Sequence, residues 1–160
     1  MPQDNIKTSK ISVANAILMP EVVAMLNEGH TVTLPLRGFS MRPFLEDRRD
    51  KALLSAVGVV CVGDVVLAEI APKRYVLHRV VKLDGDKVTL LGDGNLANEY
   101  CLLGDIRAKA QGFYRKGRDT LDSVGSRKWR IYSAIWTRLY PIRRYLLFIH
   151  RHLFVHKVGV

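Results

Sequence analysis

A chain of 160 residues with 48% apolar content is long enough for one sizeable core and short for two, so one domain with terminal elaborations is expected. Its two cysteines, Cys61 and Cys101, stand forty positions apart without a CxxC pair, which argues against a disulfide framework or a cysteine zinc site and for a reduced, cytoplasmic setting. The net charge of +10 sits at one end: residues 1–114 carry 14 Lys/Arg against 13 Asp/Glu, and residues 115–160 carry 11 against 2, so any electrostatic partner belongs to the tail.

Residues 1–30 lack the basic, apolar and small-residue order of a secretory signal, and no run of about 18 apolar residues is present to span a membrane. Within them, "ISVANAILMPEVVAMLNEGH" (11–30) predicts a helix, with Pro20 tolerated in a first turn and Gly29 as a stop. One helix is too little for a helix-turn-helix head. "TVTLPLRG" (31–38) alternates as a strand and runs into the loop "LRGFSMRPFL" (36–45), where Ser40 stands between Phe39 and Met41. From there to residue 115 the texture is β, with "KALLSAVGVV", "DVVLAEI", "RYVLHRVVKL", "KVTLLGD" and "LGDIRAKAQGFYR" separated by Gly and Asp turns.

The sharpest local expectation is a hairpin in "VVKLDGDKVTLL", with Asp84-Gly85 as a two-residue type I′ turn. Taking Leu83 opposite Asp86, the register then pairs His78 with Leu91 and Val76 with Asp93. Period-two alternation puts His78 and Asp93 on one face as diagonal neighbours, and a bulge in either strand would break that geometry. Ser40, His78 and Asp93 each have ordinary readings, as a turn serine, a half-buried strand histidine and a turn aspartate. Their combination points to chemistry. A serine hydroxyl is a weak nucleophile until a base takes its proton, and a neutral imidazole does this near pH 7; a carboxylate then fixes the imidazole's tautomer and stabilises the imidazolium.

The blocks "GFSMRPFL", "VGDVVLAE", "YVLHRVV", "LLGDGN" and "DIRAKAQGFY", in this order over about residues 31–117, resemble the signal peptidase I and LexA-type repressor superfamily of serine endopeptidases. The resemblance implies a mostly β fold of coiled antiparallel sheets, here with an N-terminal helical segment (1–30) and a basic tail (118–160). Many bacterial members place a lysine base in a "KRVV"-like block; His78-Arg79-Val80-Val81 matches the histidine-base, endoplasmic-reticulum-like branch. The catalytic set so implied is Ser40 and His78, with an acidic third member. Asp93 matches the aspartate of the family's "GDNN"-like box and is also reached by the register argument. Glu99 falls where a second aspartate is often found and remains its rival. Two departures stand out. A serine that often precedes the nucleophile by two residues is Gly38 here, leaving oxyanion stabilisation to backbone N–H groups such as that of Ser40, and the transmembrane helix usual before the serine box is missing from residues 1–30. The Ala-Gly and Cys-Gly dipeptides cut by self-cleaving relatives are absent, which points to a peptide or protein substrate in trans, such as a leader or precursor peptide. Gly38, Phe39, Met41 and Arg42 are the candidate substrate contacts, with Met41 and Phe44 weighed also as packing residues. Arg37 and Arg42 are either solvated charges or a preference for an acidic peptide. No cofactor is implied.

The tail "SRKWRIYSAIWTRLYPIRRYLLFIHRHLFVHK" (126–157) has apolar or aromatic residues at helical spacing, divided at Pro141. It reads as helices packed on the domain or a second copy, as an anchor on an anionic membrane surface at the inner face, or, with least support, as a nucleic-acid-binding surface. His150, His152 and His156 have no carboxylate nearby, so no metal site is expected. Alongside a peptidase, the fold is compatible with a catalytically silent peptide-binding scaffold or with an adaptor acting through its tail.

Overall fold

The computed structural model describes residues 18–155. The expected N-terminal helix is α1, described over 18–27, and residues 11–17 of that expectation lie outside the described residues, as do His156 and Lys157 of the tail. Eight strands follow: β1 (Val32–Pro35), β2 (Lys51–Ser55), β3 (Val65–Ala71), β4 (Arg74–Asp84), β5 (Lys87–Leu91), β6 (Glu99–Leu102), β7 (Ile106–Tyr114) and β8 (Leu121–Ser123). Two α-helices follow the strands, α2 (Arg127–Arg138) and α3 (Arg143–His150), joined by a 3-10 turn over Tyr140–Ile142 that contains Pro141, and a π-helical turn over Arg151–Val155 comes after α3. Proline has no N–H to continue an α-helical ladder, so the division at Pro141 has a local cause. The architecture is mixed α/β around one antiparallel sheet in the order β1-β2-β7-β3-β4-β5-β6, with β8 added on β7.

The sheet is covered on both faces. Along β3, Val65 and Leu67 belong to one core cluster and Val66 and Ala68 to the other, the period-two consequence of a strand buried on both sides. The larger cluster takes in Met19, Val22 and Leu26 of α1 and Trp129 of α2. Both helical ends therefore share the core of the sheet, with Phe44, Phe113 and Tyr132 packed around the Trp129 ring. Helix α2 is capped by Ser126, whose side chain accepts the Trp129 N–H, a contact that satisfies one of the open donors of its first turn.

The β4–β5 hairpin corrects the expected register. Asp84 pairs with Lys87, so the turn is Gly85-Asp86, with the left-handed position at Gly85 (φ 57°). A glycine at the first central position is the type II′ pattern in place of type I′. Val81 then bulges between Val80 and Lys82, and Arg79 lies opposite Leu91. One residue of slip exchanges the faces of a strand. Arg79 takes the diagonal neighbourhood of Asp93 that the expected register gave to His78.

Candidate active site

The first half of β4, Arg74–His78, pairs with β3 but lies beyond the registered part of β5. On that side a cavity of about 550 Å³ opens, with Leu34 and Leu36 from β1 and the turn after it, and with Ser40, His78, Asn95 and Glu99. The fold thus brings Ser40, His78 and Glu99, separated by up to 59 positions in the chain, to one hollow.

Ser40 sits half-buried in a loop built by its own polar groups. The Leu36 N–H donates to the Asp50 carbonyl and the Arg48 N–H to the Leu36 carbonyl. The Gly38 N–H donates to Asp47 Oδ1 at 2.8 Å, in the left-handed conformation (φ 82°) that glycine takes without strain. Asp50, 1% exposed, accepts the N–H groups of Glu46 and Lys116 and pairs with Arg49. That set holds its pKa below the ordinary value despite the opposing effect of burial, the largest single influence. Among the described residues the Ser40 hydroxyl and N–H make no hydrogen bond, so both remain available to a bound group.

The "GDGN" turn braces this loop. The Gly94 N–H donates to the Ser40 carbonyl at 2.8 Å. A Cβ on Gly92 would lie 2.4 Å from that same oxygen, and one on Gly94 would lie 2.6 Å from the Phe39 carbonyl oxygen. The two glycines are what allow the loops to touch. Gly94→Ala is expected to cost on the order of 1–3 kcal/mol by forcing the backbones apart, whereas Gly58→Ala, with open space around its Cβ, should leave the thermal midpoint nearly unchanged; calorimetry on the two variants checks this.

His78 is 3% exposed, and its Nδ1 lies 2.5 Å from Glu99 Oε2. The other carboxylate oxygen, Oε1, accepts from Arg74 Nη2 at 3.2 Å. Burial is the largest influence on the imidazole and pushes its pKa below 6.5, against the opposing attraction of Glu99. The ring is therefore neutral at pH 7, the form that accepts a proton.

Asp93 has a different place. Its carboxylate receives Arg79 Nε at 2.8 Å and Nη2 at 2.7 Å, a two-point ion pair in which both side chains are 1% exposed. The Tyr132 hydroxyl donates to Oδ2 at 3.1 Å, Trp136 Nε1 donates to the Asp93 carbonyl at 3.0 Å, and Arg79 Nη1 reaches Ser133 Oγ and the Gly63 carbonyl. Burial holds the Tyr132 hydroxyl far above its ordinary pKa, so it stays a donor. The carboxylate on His78 is thus Glu99, and Asp93 serves to tie α2 to the turn that braces Ser40.

The expected substrate contacts divide. Gly38 has neither a hydroxyl nor an uncommitted N–H. Met41 is 5% exposed and belongs to the core, although its side chain also borders the cavity. Arg42 is committed to Glu46, with Nε 3.0 Å from both carboxylate oxygens, and its guanidinium covers the Phe39 ring at 4.0 Å. Phe39 itself is exposed. Asn95, Lys73 and Arg74 on the cavity wall, and the Arg79–Asp93–Tyr132 network, went unread; the position of Asn95 at the end of "GDGN" was the available signal for the first. No protein-family model matches the chain, and no curated protein matches it.

Among the described residues no group of three His, Cys, Asp or Glu side chains is placed to hold a metal ion, and no helix is long and apolar enough to cross a membrane. Cys61 and Cys101 are free thiols.

Proposed function

We propose that the protein is a serine endopeptidase of the signal peptidase and LexA type, with Ser40 as nucleophile, His78 as general base and Glu99 as the group that orients it. The observation that carries this reading is the shared cavity of Ser40, His78 and Glu99, with the Glu99 carboxylate 2.5 Å from Nδ1 of a buried imidazole. Nδ1 facing Glu99 leaves Nε2 as the nitrogen that takes the Ser40 proton. Oγ then bonds to the scissile carbonyl carbon, and the negative charge moves to the carbonyl oxygen. The Ser40 N–H is a free donor for that oxygen, a contact of a kind worth about 3 kcal/mol. Collapse breaks the C–N bond, with the Nε2 proton passing to the leaving amine, and water released by the same base hydrolyses the acyl-serine.

The substrate in this reading is an extended leader or precursor peptide beside β1, whose outer edge has no partner strand among the described residues, and the site of action is the cytoplasm or the inner membrane face. A peptide-library digestion comparing the native chain with Ser40→Ala and His78→Ala is expected to lose all sequence-specific cleavage in both variants. Cleavage that persists in both defeats the mechanism. The second reading, a peptide-binding scaffold that does not turn over, is favoured by one observation: the Ser40 hydroxyl is not hydrogen-bonded to His78. Binding of library peptides without cleavage by the native chain would select it, since catalytic hydrogen bonds that tighten only around substrate would by then have had their chance to form.

A further inference from the structure

We infer that the outer faces of α2 and α3 form a docking surface for an anionic lipid bilayer, independently of the chemistry at Ser40. Trp129, Tyr132, Ser133 and Trp136 turn one face of α2 into the core and the Asp93 network. The opposite side carries Ile131 and Ile135, and the outer side of α3 carries Tyr145, Phe148 and Ile149, followed by Phe154, all more than half exposed or close to it. Large apolar side chains exposed at this density along two successive helices mark an interaction surface.

Charge selects the occupant. From residue 123 to 155 the chain has seven Lys/Arg and no Asp or Glu. Arg143 is buried against Trp136 and Tyr140; the other six are exposed, and none forms an ion pair with a described residue. A second copy docked through this face by a two-fold axis would set the same cations against each other. Nucleic acid would satisfy the cations but has no use for the isoleucines. Aromatic and aliphatic side chains beside arginine match the boundary between acyl chains and anionic headgroups. The helices, 12 and 8 residues long, are too short to cross a hydrocarbon layer of about 30 Å at 1.5 Å per residue, so they lie in its plane.

Co-sedimentation of the full chain with sucrose-loaded vesicles tests this. The native chain is expected to pellet with phosphatidylcholine vesicles containing phosphatidylglycerol and to bind pure phosphatidylcholine at least about tenfold more weakly. F148S/I149S/F154S should lose most of the binding. R138Q/R144Q/R151Q, which spares the apolar surface, should lose about fivefold per arginine, with the buried-tryptophan fluorescence of both variants unchanged as evidence of folding. Ser40→Ala should bind as the native chain does, whatever the outcome for proteolysis. The inference is overturned by native protein that stays in the supernatant, by equal binding to neutral vesicles, by a folded triple variant that binds undiminished, or by capture of a single-stranded oligonucleotide in place of vesicles.

Discussion

Glu99→Gln is expected to lower kcat by about four orders of magnitude on any peptide that the native chain cleaves, with KM changed far less. The amide keeps the size of the side chain but presents either an oxygen without charge or an N–H to Nδ1, so the ring is no longer held in the tautomer that leaves Nε2 as acceptor, and the imidazolium loses its counter-charge. The loss of an equivalent carboxylate in a serine triad has this size. The pH profile supplies a second readout whose sign is fixed by the site. His78 must be neutral to act, so kcat/KM climbs as pH rises through the free-enzyme pKa. Burial holds that pKa below 6.5, and Glu99 is the principal group pulling it up. The rising limb of the native chain should therefore have a midpoint below pH 6.5, and Glu99→Gln should move it lower still while depressing the plateau. A midpoint that stays in place or climbs on losing Glu99 would contradict the pairing. If Asp93→Asn moved the limb and Glu99→Gln left it in place, the roles of the two carboxylates would have to be exchanged.

The choice between these carboxylates marks where the sequence was legible. The serine loop, the histidine strand and the "GDGN" turn are local patterns, and each stands where alternation and turn residues put it. The helical spacing of the tail and the break at Pro141 are equally local, and both appear. Strand β6 (Glu99–Leu102) and strand β8 (Leu121–Ser123) are too short for periodicity to announce them. Without β6, the position of Glu99 relative to β4 has no sequence signature. The register of β4 against β5 failed for a different reason. An Asp-Gly pair favours a type I′ turn in isolation, but here Gly85 takes the first central position and Val81 bulges. That arrangement puts Arg79, opposite Val65 on β3, where it meets Asp93 beneath Trp129 and Tyr132, with its guanidinium 5.2 Å and 5.9 Å from their ring centres. A tertiary contact thus overrode a local preference, and alternation along one strand carries no trace of a helix packed some fifty residues downstream.

That contact predicts the largest stability effect in the molecule. Arg79→Met alone leaves the buried Asp93 carboxylate without its cation, and Asp93→Asn alone leaves the buried guanidinium without its counter-charge. Removing one partner of a buried pair costs about 3–5 kcal/mol, a fall in Tm on the order of 10 °C for a chain of this length. The double replacement R79M/D93L removes both members of the pair and should recover much of the loss in urea unfolding, as replaced buried pairs do, though not all of it, because the Tyr132 hydroxyl loses its acceptor and the buried Arg143 loses the attraction of Asp93. Full additivity of the two single losses in the double variant would mean that the charges are not coupled, and would remove the network from the account. Catalysis should not recover with stability. Asp93 stands between Gly92 and Gly94, whose backbones press on the carbonyls of Ser40 and Phe39, and its own carbonyl and carboxylate are held by Trp136 and Tyr132 of α2. A refilled apolar core keeps the Trp136 bond to the backbone carbonyl but not the contacts of Tyr132 and Arg79 to the carboxylate, so the Ser40 loop regains a fold without regaining its position. A double variant that unfolds near the native midpoint yet cleaves weakly is the expected result, and it would separate what the ion pair contributes to stability from what it contributes to placing the nucleophile.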